Sequence, residues 1–349
     1  MVAAVVTAGL VVGGLLAARS GGERPPAVLP ALADDNGAAA AIEPAPAPGA
    51  SQPARPSAGV PGRVSPRVTY KLGGPLPNLP AQARAWKVGG TVDAARVATL
   101  AAALGLAGQP REETYGWTVR DGRRALVVHK LAWEPWSFSN LPGPGVVGRP
   151  VAPARPFRPP TFPSPAEAER VARDLATRAG LDLNGATVRV TDSLTTRAVT
   201  FAPAVAGAPA SGFSWTVAVG AKGVVQHASG HLATPEPADT YPLIGVEEGF
   251  ERLKRSSPLG HILRPGVAPA VELDPCQAGD KLPCRERLRP RVATVTGARL
   301  GLQLAPAMAR GAGKPEGAYL LPAYLFDLKG GWTDTRAIIA VPDRYLTRP

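Results

Sequence analysis

Proline placement decides where this chain can and cannot build regular structure. Each proline fixes φ and removes a backbone donor, so a dense run of them excludes helices and inner strands. Residues 19–66 carry Pro25, Pro26, Pro30, Pro44, Pro46, Pro48, Pro53, Pro56, Pro61 and Pro66 among Ala, Gly and Ser, with no apolar period. That composition predicts a disordered, Pro/Ala-rich tether, extended and partly polyproline. A second Pro-rich stretch, 141–163, predicts a linker between two folded units at 67–140 and 164–349.

The residues ahead of the tether are of another kind. Residues 1–18 contain no charge, and Val2 to Leu16 is almost entirely Val, Ala, Leu and Gly. Such a run is a signal-peptide core or a short membrane helix. A buried helix of a cytosolic protein is the rival, but the stretch that follows is not globular. Arg19, Glu23 and Arg24 follow the run and no positive charge precedes it, which points to a basic segment upstream of Met1. Cleavage after Ala17 or Ala18 is the alternative to an uncleaved signal anchor. No Cys follows the run closely, so a lipoprotein anchor is excluded. The expectation is a single-pass protein of the cytoplasmic membrane with its folded part outside. The net charge of +12, mostly Arg, favours anionic partners such as phospholipid headgroups or wall polymer. The same Arg excess accompanies abundant Ala, Pro and Gly, as in a GC-rich bacterial genome. No dense basic run with interleaved aromatics occurs, which argues against nucleic acid.

The folded regions alternate helical and strand periods. Arg84–Val88 reads as a strand, broken by Gly89-Gly90, and Thr91 is placed to cap a helix to about Leu106. Tyr115–Arg120 and Ala125–Lys130 flank Asp121-Gly122, a hairpin signal. Leu131–Phe138 follows as a third strand. After the linker, Ser164-Pro165 opens a helix whose Ala168, Val171, Ala172, Leu175 and Ala179 share one face. Strands are expected at Thr187–Asp192, Arg197–Pro203, Phe213–Val219 and Gly223–Ser229. A helix over Gly245–Lys254 turns Val246, Phe250 and Leu253 inward. Ala293–Leu304, Tyr319–Leu328 and Arg336–Val341 complete the strands. Trp117-Thr118-Val119 is echoed by Trp215-Thr216-Val217, each before a hairpin. The fold class predicted is α+β: two related units of antiparallel sheet with helices packed on one face.

Here the chain resembles a known group. Gly223–Gly230, followed by Tyr241-Pro242-Leu243-Ile244-Gly245-Val246-Glu247-Glu248-Gly249-Phe250, resembles PepSY-type repeats, with Gly249 where those carry Ala. Tyr319-Leu320-Leu321-Pro322-Ala323-Tyr324-Leu325-Phe326 resembles the "Y-L-V-P-A-W-x-F" strand of extracytoplasmic regulators of sensor kinases. The layout is similar to actinobacterial membrane-anchored proteins of unknown function. The resemblance implies an extracytoplasmic binding or inhibitory module and no catalytic residue.

Sites of chemistry are sparse. His227 and His231 are four apart, a spacing that suits two metal ligands on a helix. The strand pattern and the intervening Ser229-Gly230 argue against a helix, so a surface loop is expected. Gly143–Gly148 matches a dinucleotide fingerprint in letters only, because it lies in the linker and Arg149-Pro150 follows it. No cofactor is expected. Cys276 and Cys284 flank a seven-residue loop and read as a disulfide in an oxidising compartment. Trp133, Trp136 and Phe138 cluster around Pro135. They are core residues or, if partly exposed, a partner-binding patch for peptide or glycan. The function expected is a non-catalytic module acting on another envelope protein. A wall-binding structural protein and an envelope hydrolase with an unrecognised site are the alternatives.

Overall fold

The computed structural model describes residues 26–29, 68–140, 163–192, 196–256, 291–308, 315–330 and 334–347. The apolar run 1–18, the linker 141–162 and both cysteines lie outside these residues. Among the described residues no helix is long and apolar enough to cross a membrane.

The fold is α+β, with two sheets rich in antiparallel pairing and three helices among the described residues. One sheet is built from β3 (Arg111–Glu113), β4 (Gly116–Asp121), β5 (Arg124–His129), β6 (Pro135–Asn140), β7 (Thr187–Asp192), β8 (Arg197–Ala202), β11 (Trp215–Val219) and β12 (Val225–His231). Its order is β3-β4-β5-β6-β12-β11-β8-β7. The two halves therefore mirror each other about the antiparallel β6–β12 seam, where Trp136 faces Gly230. Each half follows its own helix, α1 (Ala94–Ala103) or α2 (Pro165–Arg178). The Trp-Thr-Val echo does not mark equivalent strands: β4 is second from its edge, whereas β11 is third, beside the seam strand β12. In each, the Trp and Val turn toward one core that also takes Val97, Leu100, Ala172 and Leu175 from the helices.

Local chemistry explains these elements. Ser164 caps α2 by accepting from the Glu167 amide at 3.1 Å, with Pro165 at the first helical position. The α1 cap is Asp93, which accepts from the Arg96 amide at 2.8 Å, and not the expected Thr91. Gly122, at φ +59°, makes the β4–β5 turn.

The second sheet gathers β1 (Val68–Leu72), β2 (Gln82–Gly89), β9 (Ala204–Val205), β10 (Ala208–Ser211), β13 (Thr234–Pro242), β14 (Arg291–Met308), β15 (Pro315–Lys329) and β16 (Thr335–Ile339). The long β14–β15 hairpin is its spine; β1 and β10 run parallel to β14, and β2 and β16 flank β15. α3 (Val246–Arg255) packs on this sheet through Val246, Phe250 and Leu253. Both sheets thus take strands from each side of residues 141–163. The units expected at 67–140 and 164–349 are not the units the sheets form. Residues 67–140 give half of one sheet and two strands of the other.

Where the sheets meet, Trp133, Phe213 and Ala233 pack against Val88, Leu302 and Leu320. The partner-binding patch anticipated at Trp133, Trp136 and Phe138 is corrected here. They are only 4%, 1% and 2% exposed, and Trp136 meets Trp215 edge-to-face at 4.8 Å. Rings with no accessible face cannot meet a partner.

Candidate functional site

The clearest built surface feature is a groove over β13. That strand carries Pro235, Pro237 and Pro242, which a strand tolerates only where donors are not required. It is the edge of its sheet, paired on one side with β2. Its register slips between Pro237 and Thr240, so Ala238 and Asp239 form an irregularity on the exposed edge. Beside it runs the segment after β16, which includes Tyr345-Leu346-Thr347. α3 pins that segment: the Arg252 guanidinium donates to the carbonyls of Ile339 (3.2 Å) and Val341 (3.0 Å) and pairs with Asp343 at 2.9 Å.

The groove is filled by the chain's own residues 26–29. The Ala27 amide donates to Asp239 Oδ2 at 2.9 Å, and the Tyr241 hydroxyl donates to the Ala27 carbonyl at 3.0 Å. The Leu29 amide donates to the Tyr345 carbonyl at 2.9 Å, making a parallel bridge with Leu346. The Thr347 hydroxyl closes the set by donating to the Leu29 carbonyl at 2.7 Å. The Leu29 side chain is 3% exposed, inserted among Ala85, Tyr241, Leu321 and Val341, whereas Val28 is exposed. Burial, with Asp239 and Tyr319 nearby, pushes the Tyr241 hydroxyl up to about 12, so it remains a donor at neutral pH. A cavity of about 220 Å³ lies along this contact, lined in part by Lys87, Glu236 and Tyr319.

A second depression, about 390 Å³, lies between Leu76–Ala81 and the entry to α3 at Leu243–Glu247. Its floor is Tyr324, whose hydroxyl donates to the Ile244 carbonyl.

The histidine pair does not form a loop site. Both residues lie in β12, and His231 is buried. It stacks on Phe213 (5.0 Å between ring centres), and its Nε2 lies 3.1 Å from the Gly212 carbonyl. Burial lowers its pKa to about 4, against the opposing pull of the Gly212 and Trp133 backbones. Nearby, Glu134 is buried at the sheet junction, with φ +45°. Arg96 pairs with its Oε2 at 3.2 Å and also donates to the Leu232 carbonyl at 2.5 Å. Burial raises the Glu134 pKa, while Arg96 lowers it and Asp93 adds to the rise. This polar set ties α1 to the start of β6 and the end of β12. Sequence reasoning did not single out Glu134, and a lone Glu between Trp133 and Pro135 carries no signal of its burial. The groove was also missed, because residues 26–29 read as part of the tether and no strand was expected over Thr234–Pro242. Among the described residues no group of three or more His, Cys, Asp or Glu is placed to hold a metal ion.

No known family model matches the chain, and no curated protein matches it. Among solved structures it is similar to an uncharacterized protein from Eubacterium rectale, at 14% identity and a TM-score of 0.40, over 74% of this chain and 82% of that one. It is also similar to the Bacillus megaterium YpeB C-terminal domain, at 11% identity and a TM-score of 0.32, over 73% of this chain and 95% of that one.

Proposed function

We propose that this protein is a non-catalytic module, tethered at the outer face of the cytoplasmic membrane, that binds and regulates another envelope protein. The observation that carries this reading is the groove over β13, which grips an extended segment mainly through its main chain. Recognition of extended peptides at a sheet edge draws affinity from main-chain bonds and specificity from side-chain pockets. The Leu29 pocket and the Asp239, Tyr241, Tyr345 and Thr347 contacts supply both. The resemblance of Tyr241–Phe250 and Tyr319–Phe326 to PepSY-type and sensor-kinase regulatory segments supports the same reading, as do the apolar run 1–18 and the Pro-rich residues after it.

Two measurements test the proposal. Protease added to intact spheroplasts should digest the folded part, and complete protection overturns the placement. Cross-linked capture from intact membranes should recover one discrete membrane protein in a salt-insensitive way. Salt-sensitive pelleting with purified wall, without such a protein, favours a wall-binding role for the +12 charge instead.

A further inference from the structure

We infer that the groove over β13 is an exchangeable peptide site which the chain holds closed with its own residues 26–29. The inference rests on the binding-module reading and specifies that module's ligand: an extended, uncharged peptide with a leucine anchor, as in Pro26-Ala27-Val28-Leu29.

Three features separate this contact from a permanent strand. The first is its size. Four hydrogen bonds and the Leu29 side chain join the segment to the body, with a strand-type bridge only at Leu29–Leu346, whereas β14 and β15 pair along nearly their whole length. So short a contact opens without disturbing neighbouring strand pairs, which puts it below the β14–β15 spine in local stability. The second is composition. The groove's walls, Asp239 with Tyr241 on one side and Tyr345 with Thr347 on the other, belong to parts of the chain that are held by contacts other than the segment. β2 holds β13, and Arg252 holds residues 339–343. The third is chemistry. Both wall side chains that bind Ala27 address its amide and carbonyl, which any residue except proline offers there. Specificity comes from the Leu29 pocket. Asp239 and Glu236 at the rim disfavour an acidic peptide. Val28 faces solvent and is unconstrained.

Docking also sets reach. With residues 26–29 held, only residues 19–25 join the apolar run to the body, a span of at most about 25 Å. With the segment displaced, residues 19–66 span up to about 160 Å. A trans peptide entering the groove would thus let the body stand away from its anchor.

The test uses the full-length chain and amide hydrogen exchange. In the chain alone, the Ala27 and Leu29 amides should be protected, and less so than those of β14–β15. A large excess of a synthetic peptide, Arg24–Ala33, should speed their exchange tenfold or more. The same peptide with Leu29→Asp should not. Asp239→Ala, at an exposed position, should speed Ala27 exchange and leave β14–β15 unchanged. Two results overturn the inference. One is protection of Leu29 equal to that of the spine and unaltered by peptide, which makes the segment a fixed part of the core. The other is exchange at the unprotected rate in the chain alone. Protease access and membrane capture report the module; exchange reports the groove, so the two readings fail separately.

Discussion

Gly249 lies inside α3 against Tyr324, and replacing it with Ala should destabilise the protein. On helix propensity alone, Gly249→Ala gains about 1 kcal/mol. The structure opposes it. A Cβ at position 249 would sit 2.5 Å from Cδ2 and 3.1 Å from Cε2 of Tyr324. That ring cannot easily retreat: it is 1% exposed, meets Phe326 at 6.4 Å, and donates its hydroxyl to the Ile244 carbonyl. Overpacking of this kind costs about 1–3 kcal/mol, and losing the tyrosine bond costs about 1 kcal/mol more. The net loss expected is about 1–3 kcal/mol, read as a fall in thermal midpoint of roughly 2–9 °C. Calorimetry of the variant checks the sign. Tyr324→Phe frees the ring to shift, so Gly249→Ala should cost about 0.5–1 kcal/mol less in that background. An unchanged or raised midpoint for the single variant refutes the packing argument.

Stability should fall on acidification through His231, which binds its proton near 6.5 when unfolded and near 4 when folded. Between those values the unfolded state holds more protons, so stability rises with pH, with roughly 3 kcal/mol lost from pH 7 to pH 4. Denaturant titrations should show that His231→Gln flattens this limb; an identical slope rejects the assignment. Gly230→Ala would bring a Cβ within 2.5 Å of the Trp215 ring, which donates Nε1–H to the His231 carbonyl at 2.9 Å. It should cost about 1–3 kcal/mol in urea unfolding, and no change refutes the close approach. Cys276 and Cys284 should appear as one linked peptide pair in a non-reducing digest, and alkylation of both in the native, unreduced protein rejects the bridge. Reduction should cost about 2–3 kcal/mol.

Much of the fold was legible because its period is local. The Ser164-Pro165 entry, the alternation in β8 and β11 and the Asp121-Gly122 turn each depend on neighbours in sequence. Strand β13 was not legible, because Thr234–Pro242 owes its pairing to a place on a sheet edge and to β2. The same holds for β1, whose partner is β14. The Trp-Thr-Val echo suggested two separate units, but β4 and β11 hold different places in one sheet, and nothing local reports that β6 and β12 join. At the site, aromatic clustering pointed to Trp133 and Trp136, and both turned out to be buried. The groove needed Leu29 and Tyr345, which are brought together only by the finished fold.

The interleaving of the two sheets sets an order of events during synthesis. The mirrored sheet is complete once residue 231 has emerged. β1 and β2 emerge before any of it, yet their neighbours β14 and β15 are made last. β2 stays an unclaimed edge until β13 is made, and β1 until β14, each exposed meanwhile to any other chain that offers a strand. A chain stopped near residue 290 would keep one sheet and lose the spine of the other. Residues from 291 onward therefore decide whether β1 ever finds a place.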